Sequence, residues 1–364
     1  ARSAGGRRKL TPRMLANDSH AQGAFRMTPD ISTRRGRLRR CAASLAVALL
    51  PHLAGAQTTI TTDRVLTFGR DGDEIAIAAV PYLGGPEVIL SGTYTAGFPL
   101  PRTGGGTINV AHSGSLDVFF MKLNVDIGTV DWLFTVRGSQ IQQGPDLGVL
   151  QDGRIIACLG FQGTTQFAPE STAPFTIDSF GGSFDPIILG VSPEDGRVLW
   201  TDWISGPLTS LMRDVVPGIG LEFFTAVWGR GDLTFGTGQP DELTHLETSK
   251  FFDTALAKYD RDGTLQWISA NCGESEDFYS AVSRFSDGHV VVAGKFTGTT
   301  RLACGRPSEA TLTGAGGFDI LTAEFDEVGE LVWALAHGGP ADDDGFHVEA
   351  LPSGDFLVSG NYNN

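Results

Sequence analysis

Four tryptophans, Trp132, Trp200, Trp267 and Trp333, follow one another at intervals of 68, 67 and 66 residues. Each stands four residues after a glycine: Gly128, Gly196, Gly263 and Gly329. Upstream, an apolar–Asp pair keeps nearly the same step, as Leu116-Asp117, Phe184-Asp185, Phe252-Asp253 and Phe318-Asp319, spaced 68, 68 and 66. A further turn glycine opens a β-rich run at Gly85 (PEVILSGTY), Gly153 (RIIACLGF), Gly288 (HVVVAGKF) and Gly354 (DFLVSGNY). The third copy reads Gly220 followed by LEFFTAVW, without the internal glycine. Three independent markers on one period make this a repeat protein. A unit of ~67 residues cannot bury both of its faces alone, so successive copies must stack.

Within one period four strand segments can be read. In the clearest copy they are Tyr279–Phe285, His289–Phe296, Asp319–Phe325 and Glu330–His337, bounded by Ser286-Asp287-Gly288 and Asp326–Gly329. The connection Thr297–Gly317 between the second and third segments is read as a long loop. Glycine contributes 48 of 364 residues with no G-X-Y period, and helical periodicity of any length is absent. Four antiparallel strands per period is the unit of a β-propeller blade. The expected fold is therefore an all-β propeller, with blades at about 68–139, 140–206, 207–273 and 274–339 and a partial fifth at 340–364. That fifth copy supplies only Asp344–Leu351 and Asp355–Tyr362, to which Thr58–Thr67 would add a third strand. An open or imperfectly closed arc is expected, as a window on a larger propeller.

Charge divides the chain at about residue 56. Residues 1–56 hold 11 of the 27 basic residues and two of the 42 acidic ones, a net of +9, and the remainder carries −24. So acidic a body excludes nucleic acid as a partner, since phosphate binding requires clustered Lys and Arg. Arg34, Arg35, Arg37, Arg39 and Arg40, the apolar run Cys41–Leu50 and the small residues Ala54-Gly55-Ala56 follow the order of a secretory signal peptide, with cleavage expected before Gln57. The run is too short to span a bilayer, and no other of its kind follows. Secretion, the periplasm or the cell surface is the expected location. Cys158, Cys272 and Cys304 then remain; an oxidising compartment would allow a Cys272–Cys304 bridge, which the sequence does not decide, while Cys158 reads as a small core hydrophobe.

The segment Phe252-Asp253-Thr-Ala-Leu-Ala-Lys-Tyr-Asp-Arg-Asp-Gly-Thr-Leu-Gln-Trp267 resembles the bacterial β-propeller repeat (SBBP-like) family of secreted and cell-surface proteins. So does Asp287-Gly288-His-Val-Val-Val-Ala-Gly-Lys-Phe-Thr-Gly-Thr299. The resemblance covers roughly residues 68–364 and is clearest in the third and fourth copies. The Gly-x-x-x-Trp step is also similar to the tryptophan-docking repeat of quinoprotein dehydrogenases. That similarity would imply pyrroloquinoline quinone and calcium in a funnel with adjacent cysteines, and the chain has no Cys-Cys pair.

Recurrence decides how the marked residues are read. One Trp per repeat fits a ring wedged between neighbouring blades, with its N–H on a neighbouring carbonyl. One Asp per repeat (Asp117, Asp185, Asp253, Asp319) fits a backbone acceptor that fixes a loop, since acid–base catalysis needs one or two placed carboxylates. Trp203 and Trp228 occur once each; both read first as core packing and second as ligand contacts, for which they are better candidates than the repeated four. Asp342, Asp343 and Asp344, with Asp71-Gly72-Asp73-Glu74 at the same phase, read first as solvated acidic loops and second as Ca²⁺ ligands, because neither matches a twelve-residue calcium loop. Asp260-Arg-Asp262-Gly263 reads as a hairpin turn. His112, His245, His289, His337 and His347 are scattered over different phases, and there is no G-x-S-x-G. With no catalytic constellation, no catalytic residue and no cofactor are assigned. The expected function is a binding or scaffold module that takes a protein or glycan at one face; the alternatives are a quinone-dependent dehydrogenase and a carbohydrate-active propeller. The last would need unrepeated aromatic and basic residues gathered on one face.

Overall fold

The computed structural model describes residues 73–168, 173–237, 242–245 and 251–363. The leader, its proposed cleavage point, Asp71, Gly72 and Thr58–Thr67 lie outside the described residues. The described chain is all-β, with one short 3₁₀ turn at Phe180–Gly182.

Sheet I is built from Glu74–Pro81, Glu87–Tyr94, Asp117–Asn124 and Thr129–Gly138 in chain order, every neighbour antiparallel. Sheet II repeats the pattern with Gln142–Val149, Ile155–Gln162, Phe184–Val191 and Val198–Trp203. Sheet III uses Ser210–Pro217, Phe223–Gly229, Asp253–Tyr259 and Leu265–Ala270. Sheet IV uses Asp277–Arg284, Val290–Phe296, Asp319–Phe325 and Leu331–His337. Asp344–Ala350 and Phe356–Asn361 pair as a fifth, two-stranded sheet V. Among the described residues no sheet closes on itself.

Second and third strands, such as Ile155–Gln162 (IIACLGFQ), are buried along almost their whole length. They therefore read as continuous apolar runs, whereas a fourth strand such as Leu331–His337 alternates partly buried and exposed positions. The reason is stacking. One apolar cluster joins Ile89 and Phe120 of sheet I to Ile155, Leu159 and Ile187 of sheet II. A second joins sheets II and III through Ile156, Ile188, Val227 and Tyr259, and a third joins III and IV through Phe224, Leu256, Val292 and Leu321. Val291 and Ala293 of sheet IV meet Val348 and Phe356 of sheet V in a fourth.

Three kinds of polar contact recur across the four junctions, each at two or three of them. The indole N–H groups of Trp132, Trp200 and Trp267 donate to the carbonyls of Pro193, Arg261 and Glu327 in the next sheet, each at 3.0 Å. There the ring lies over the turn glycine: a Cβ on Gly196, Gly263 or Gly329 would come within 2.6, 2.6 or 2.8 Å of it. The backbone N–H of Gln142, Asp277 and Asp343 reaches back to Leu116, Phe252 and Phe318. Third, the connections between second and third strands dock on the preceding sheet. Thr164–Phe167, from the connection of sheet II, pairs with the last strand of sheet I, and Thr299–Leu302, from that of sheet IV, pairs with Cys272–Gly273 just after sheet III.

Thr297–Gly317 is thus not a plain loop: it carries the hairpin Thr299–Leu302/Ala310–Thr313. The disulfide Cys272–Cys304, with a Cα separation of 6.1 Å, clamps that hairpin to the end of sheet III. Cys158 is free and buried, and its thiol is pushed well up by that burial.

Candidate functional site

The first strand of every sheet carries a bulge at the same place. In sheet I it falls between Ala76 and Ala78, in sheet III between Met212 and Asp214, in sheet IV between Tyr279 and Ala281, and in sheet V between Gly345 and His347. Sheet II has a wider one, between Gln143 and Asp146. A bulge leaves a residue out of the ladder and re-aims its side chain. The residues so displaced are Ile77, Gly144 and Pro145, Arg213, Ser280 and Phe346, and all of them line one cavity. The repeated glycine of the second strand serves this geometry: a Cβ on Gly294, opposite the bulge, would lie 1.8 Å from the Phe278 carbonyl oxygen.

A wider lobe of about 480 Å³ adjoins this cavity and shares Arg213, Ser280 and Phe346 with it. Its walls are aromatic and basic. Trp228 meets Phe278 edge to face at 5.2 Å, and Phe278 meets Phe318 at 6.2 Å. The Arg213 guanidinium lies 5.5 Å from the Trp228 ring centre, and Lys295 Nζ lies 4.4 Å from that of Phe318. Lys295 also pairs with Asp344 at 2.6 Å. Arg213 makes no hydrogen bond or ion pair among the described residues. Phe346 is 51 % exposed at the mouth.

Below the bulge residues sit Asp146 and Asp214, from sheets II and III. The two lie close enough that a proton held on one can be donated to the other. Burial, and then the Asp214 charge, push Asp146 well above the usual carboxylate range; burial also raises Asp214. Each accepts a backbone N–H from the next sheet, Asp146 from Val215 at 2.8 Å and Asp214 from Val282 at 2.7 Å. A proton-sharing carboxylate pair can perform acid–base chemistry. Here both acids are engaged as bridges between first strands, and the same arrangement is continued by Ser283 Oγ, which accepts from Ala350 at 3.0 Å.

Comparison with known families and curated proteins gives one result. No family model and no curated protein matches the chain.

The repeated aspartates and tryptophans are not among the residues that line the cavity. Asp117 accepts from Ser113 N at 2.8 Å and contacts His112 Nδ1 at 2.9 Å; Asp319 accepts from Ala315 N at 2.7 Å. Asp185 accepts from Phe180 N, and burial raises it to about 6. Asp253 is buried beside Asp277, whose carboxyl is pushed well up by burial and then by the Asp253 charge. Trp333 differs from the other three: it donates to Glu324 of its own sheet and stacks on Phe356 of sheet V at 5.3 Å.

Asp342, Asp343 and Asp344 are exposed, buried and partly buried in turn, and each has a different partner. Asp342 accepts from Phe318 N at 2.9 Å, and Asp344 turns to Lys295. Asp343 is fully buried and accepts from Gly339 N at 2.9 Å and Asn363 N at 2.7 Å. Among the described residues no group of three His, Cys, Asp or Glu side chains is placed to hold a metal. Asp73 is exposed and Glu74 buried in the other acidic stretch. Asp260 holds its own hairpin, accepting from the N–H groups of Asp262 and Thr264, each at 2.9 Å.

Of the two unrepeated tryptophans, Trp228 lines the cavity, while Trp203 packs on Phe161 at 6.1 Å. His347 reaches the cavity; His112 and His289 are bound to Asp117 and Glu324. The side chain of His245 lies outside the described residues. Sequence reasoning missed Arg213, Ser280, Lys295, Phe346, Asp146 and Asp214. A signal was present. Ile77, Pro145, Arg213, Ser280 and Phe346 keep the period, at steps of 68, 68, 67 and 66, while their chemistry changes at every step.

Proposed function

We propose that this chain is a secreted or cell-surface repeat protein of β-propeller type, and that it binds a partner at the cavity where its first strands meet. The observation that carries this reading is the bulge position. Residues that keep both period and identity, such as the tryptophans, hold sheet to sheet. The residue that keeps the period but varies from Ile to Pro, Arg, Ser and Phe faces a shared cavity instead. Variation at one displaced position on a rigid repeated frame is how a repeat protein acquires a binding surface without altering its packing. The Cys272–Cys304 bridge supports an oxidising compartment. The docking of Trp132, Trp200 and Trp267 on the turn of the next sheet supports blade-like stacking.

The test uses the full chain on arrayed glycans and extracellular proteins, beside Phe346→Ala. Phe346 is open to solvent, so its truncation leaves the melt unchanged. Saturable binding that the variant loses, with no product released, is the expected result. Turnover of a bound compound, or binding indifferent to Phe346, contradicts the reading.

A further inference from the structure

The wider lobe of the cavity points to a ligand class. We propose that it binds an acidic sugar, a pyranose ring carrying a carboxylate, with the carboxylate on Arg213. The inference rests on the binding reading above.

Three features of the lobe converge. First, Arg213 is the bulge residue of sheet III and lies over Trp228, with no ion pair among the described residues. In a body of net charge −24, that leaves a guanidinium facing a cavity without a carboxylate of its own. Its neighbour Asp214 is turned into the bridge with Asp146 and the Val282 N–H. A free guanidinium offers a planar fork of donors that matches a carboxylate.

Second, the rings of Trp228, Phe278, Phe318 and Phe346 wall the lobe. A pyranose presents a face of C–H groups that packs on such rings. Arg213 and Lys295 already cover parts of the Trp228 and Phe318 faces, leaving Phe346, more than half exposed, as the open platform.

Third, the Lys295–Asp344 pair and the Ser280 side chain place donors and acceptors beside these rings. Vicinal hydroxyls of a sugar satisfy both members of such a pair. A purely apolar acid strips water from this pair and offers no hydrogen bond in return, which costs affinity. A volume of about 480 Å³ falls within the ~300–1,000 Å³ of small-molecule sites.

The experiment is calorimetric titration of the full chain with glucuronate, galacturonate and N-acetylneuraminate. Glucose and galactose serve as neutral controls, and benzoate as an acid without hydroxyls. At least one acid sugar should bind ten-fold or more tighter than its neutral counterpart and than benzoate. Arg213→Gln should abolish that preference while leaving the melt unchanged, and Arg213→Lys should retain part of it. Equal binding of neutral sugars, or binding unaffected by Arg213→Gln, overturns the acid-sugar assignment and leaves the binding reading standing. Tighter binding of benzoate, or no binding of any acid sugar, also overturns it. Conversion of the sugar to product overturns both.

Discussion

Trp200 and Gly263 are two halves of one contact. The indole N–H needs the Arg261 carbonyl, and the ring needs a residue with no Cβ beneath it, at a backbone φ of 86° that side chains rarely adopt. Truncating the ring leaves a void between sheets II and III, so Trp200→Ala is expected to cost ~3–5 kcal/mol. Gly263→Ala should be destabilising through the same contact. Trp333→Ala should cost less, because its N–H stays within sheet IV. Chemical denaturation of the three variants checks the order. The carboxylate bridge gives a second prediction at this scale. Asp146 is raised by burial, so the folded chain holds a proton that the unfolded carboxyl releases above about 3.9. The folded state therefore loses stability as pH climbs from the unfolded pKa through the folded one. Asp146→Asn keeps an acceptor for the Val215 N–H and supplies a permanent donor to Asp214. Its melting temperature should match the parent near pH 4 and exceed it by a widening margin toward pH 8. A margin that stays constant or narrows across thermal melts at those pH values contradicts the upward shift of Asp146.

The strands were legible where burial is two-sided and turns are glycine-marked. The fourth copy was read as Tyr279–Phe285, His289–Phe296, Asp319–Phe325 and Glu330–His337, within about two residues of sheet IV at every boundary. The hairpin inside Thr297–Gly317 was not. Its strands, TTRL and ATLT, are four residues long and half exposed, and they are ordered by pairing with Cys272–Gly273 and by the disulfide. Contacts between distant segments leave no local pattern to read. The same reason hid Asp343, which looked like one of three surface acids and is a buried acceptor of two backbone N–H groups. It also hid the cavity: bulges break the two-residue alternation, so no local pattern marks the displaced side chains as facing one place. The disulfide carries a prediction at the scale of elements. It closes a 32-residue separation and ties the hairpin of sheet IV to sheet III. Cys272→Ser with Cys304→Ser should lower stability by about 3–4 kcal/mol, with hydrogen exchange rising first in 299–313. Uniform loss of protection across all sheets would show that the bridge does not act at this junction.

At the scale of the whole molecule, five successive copies bring their first strands to one cavity, while the apolar clusters join each sheet to the next in chain order. Stacking alone does not require that. Sheets stacked in a line would carry Ile77 and Phe346 farther apart with every copy between them, whereas sheets turned about a common line return them to the same cavity. Pairs of spin labels at Ile77 with Ser280 and at Ile77 with Phe346 separate the two arrangements, and both pairs sit on exposed or partly buried bulge positions that tolerate a label. Pulsed electron paramagnetic resonance is predicted to give two short, narrow distances of similar size, each no more than a cavity across. A distance that grows from the first pair to the second, or a broad distribution in either, would contradict the shared cavity and the binding site built on it.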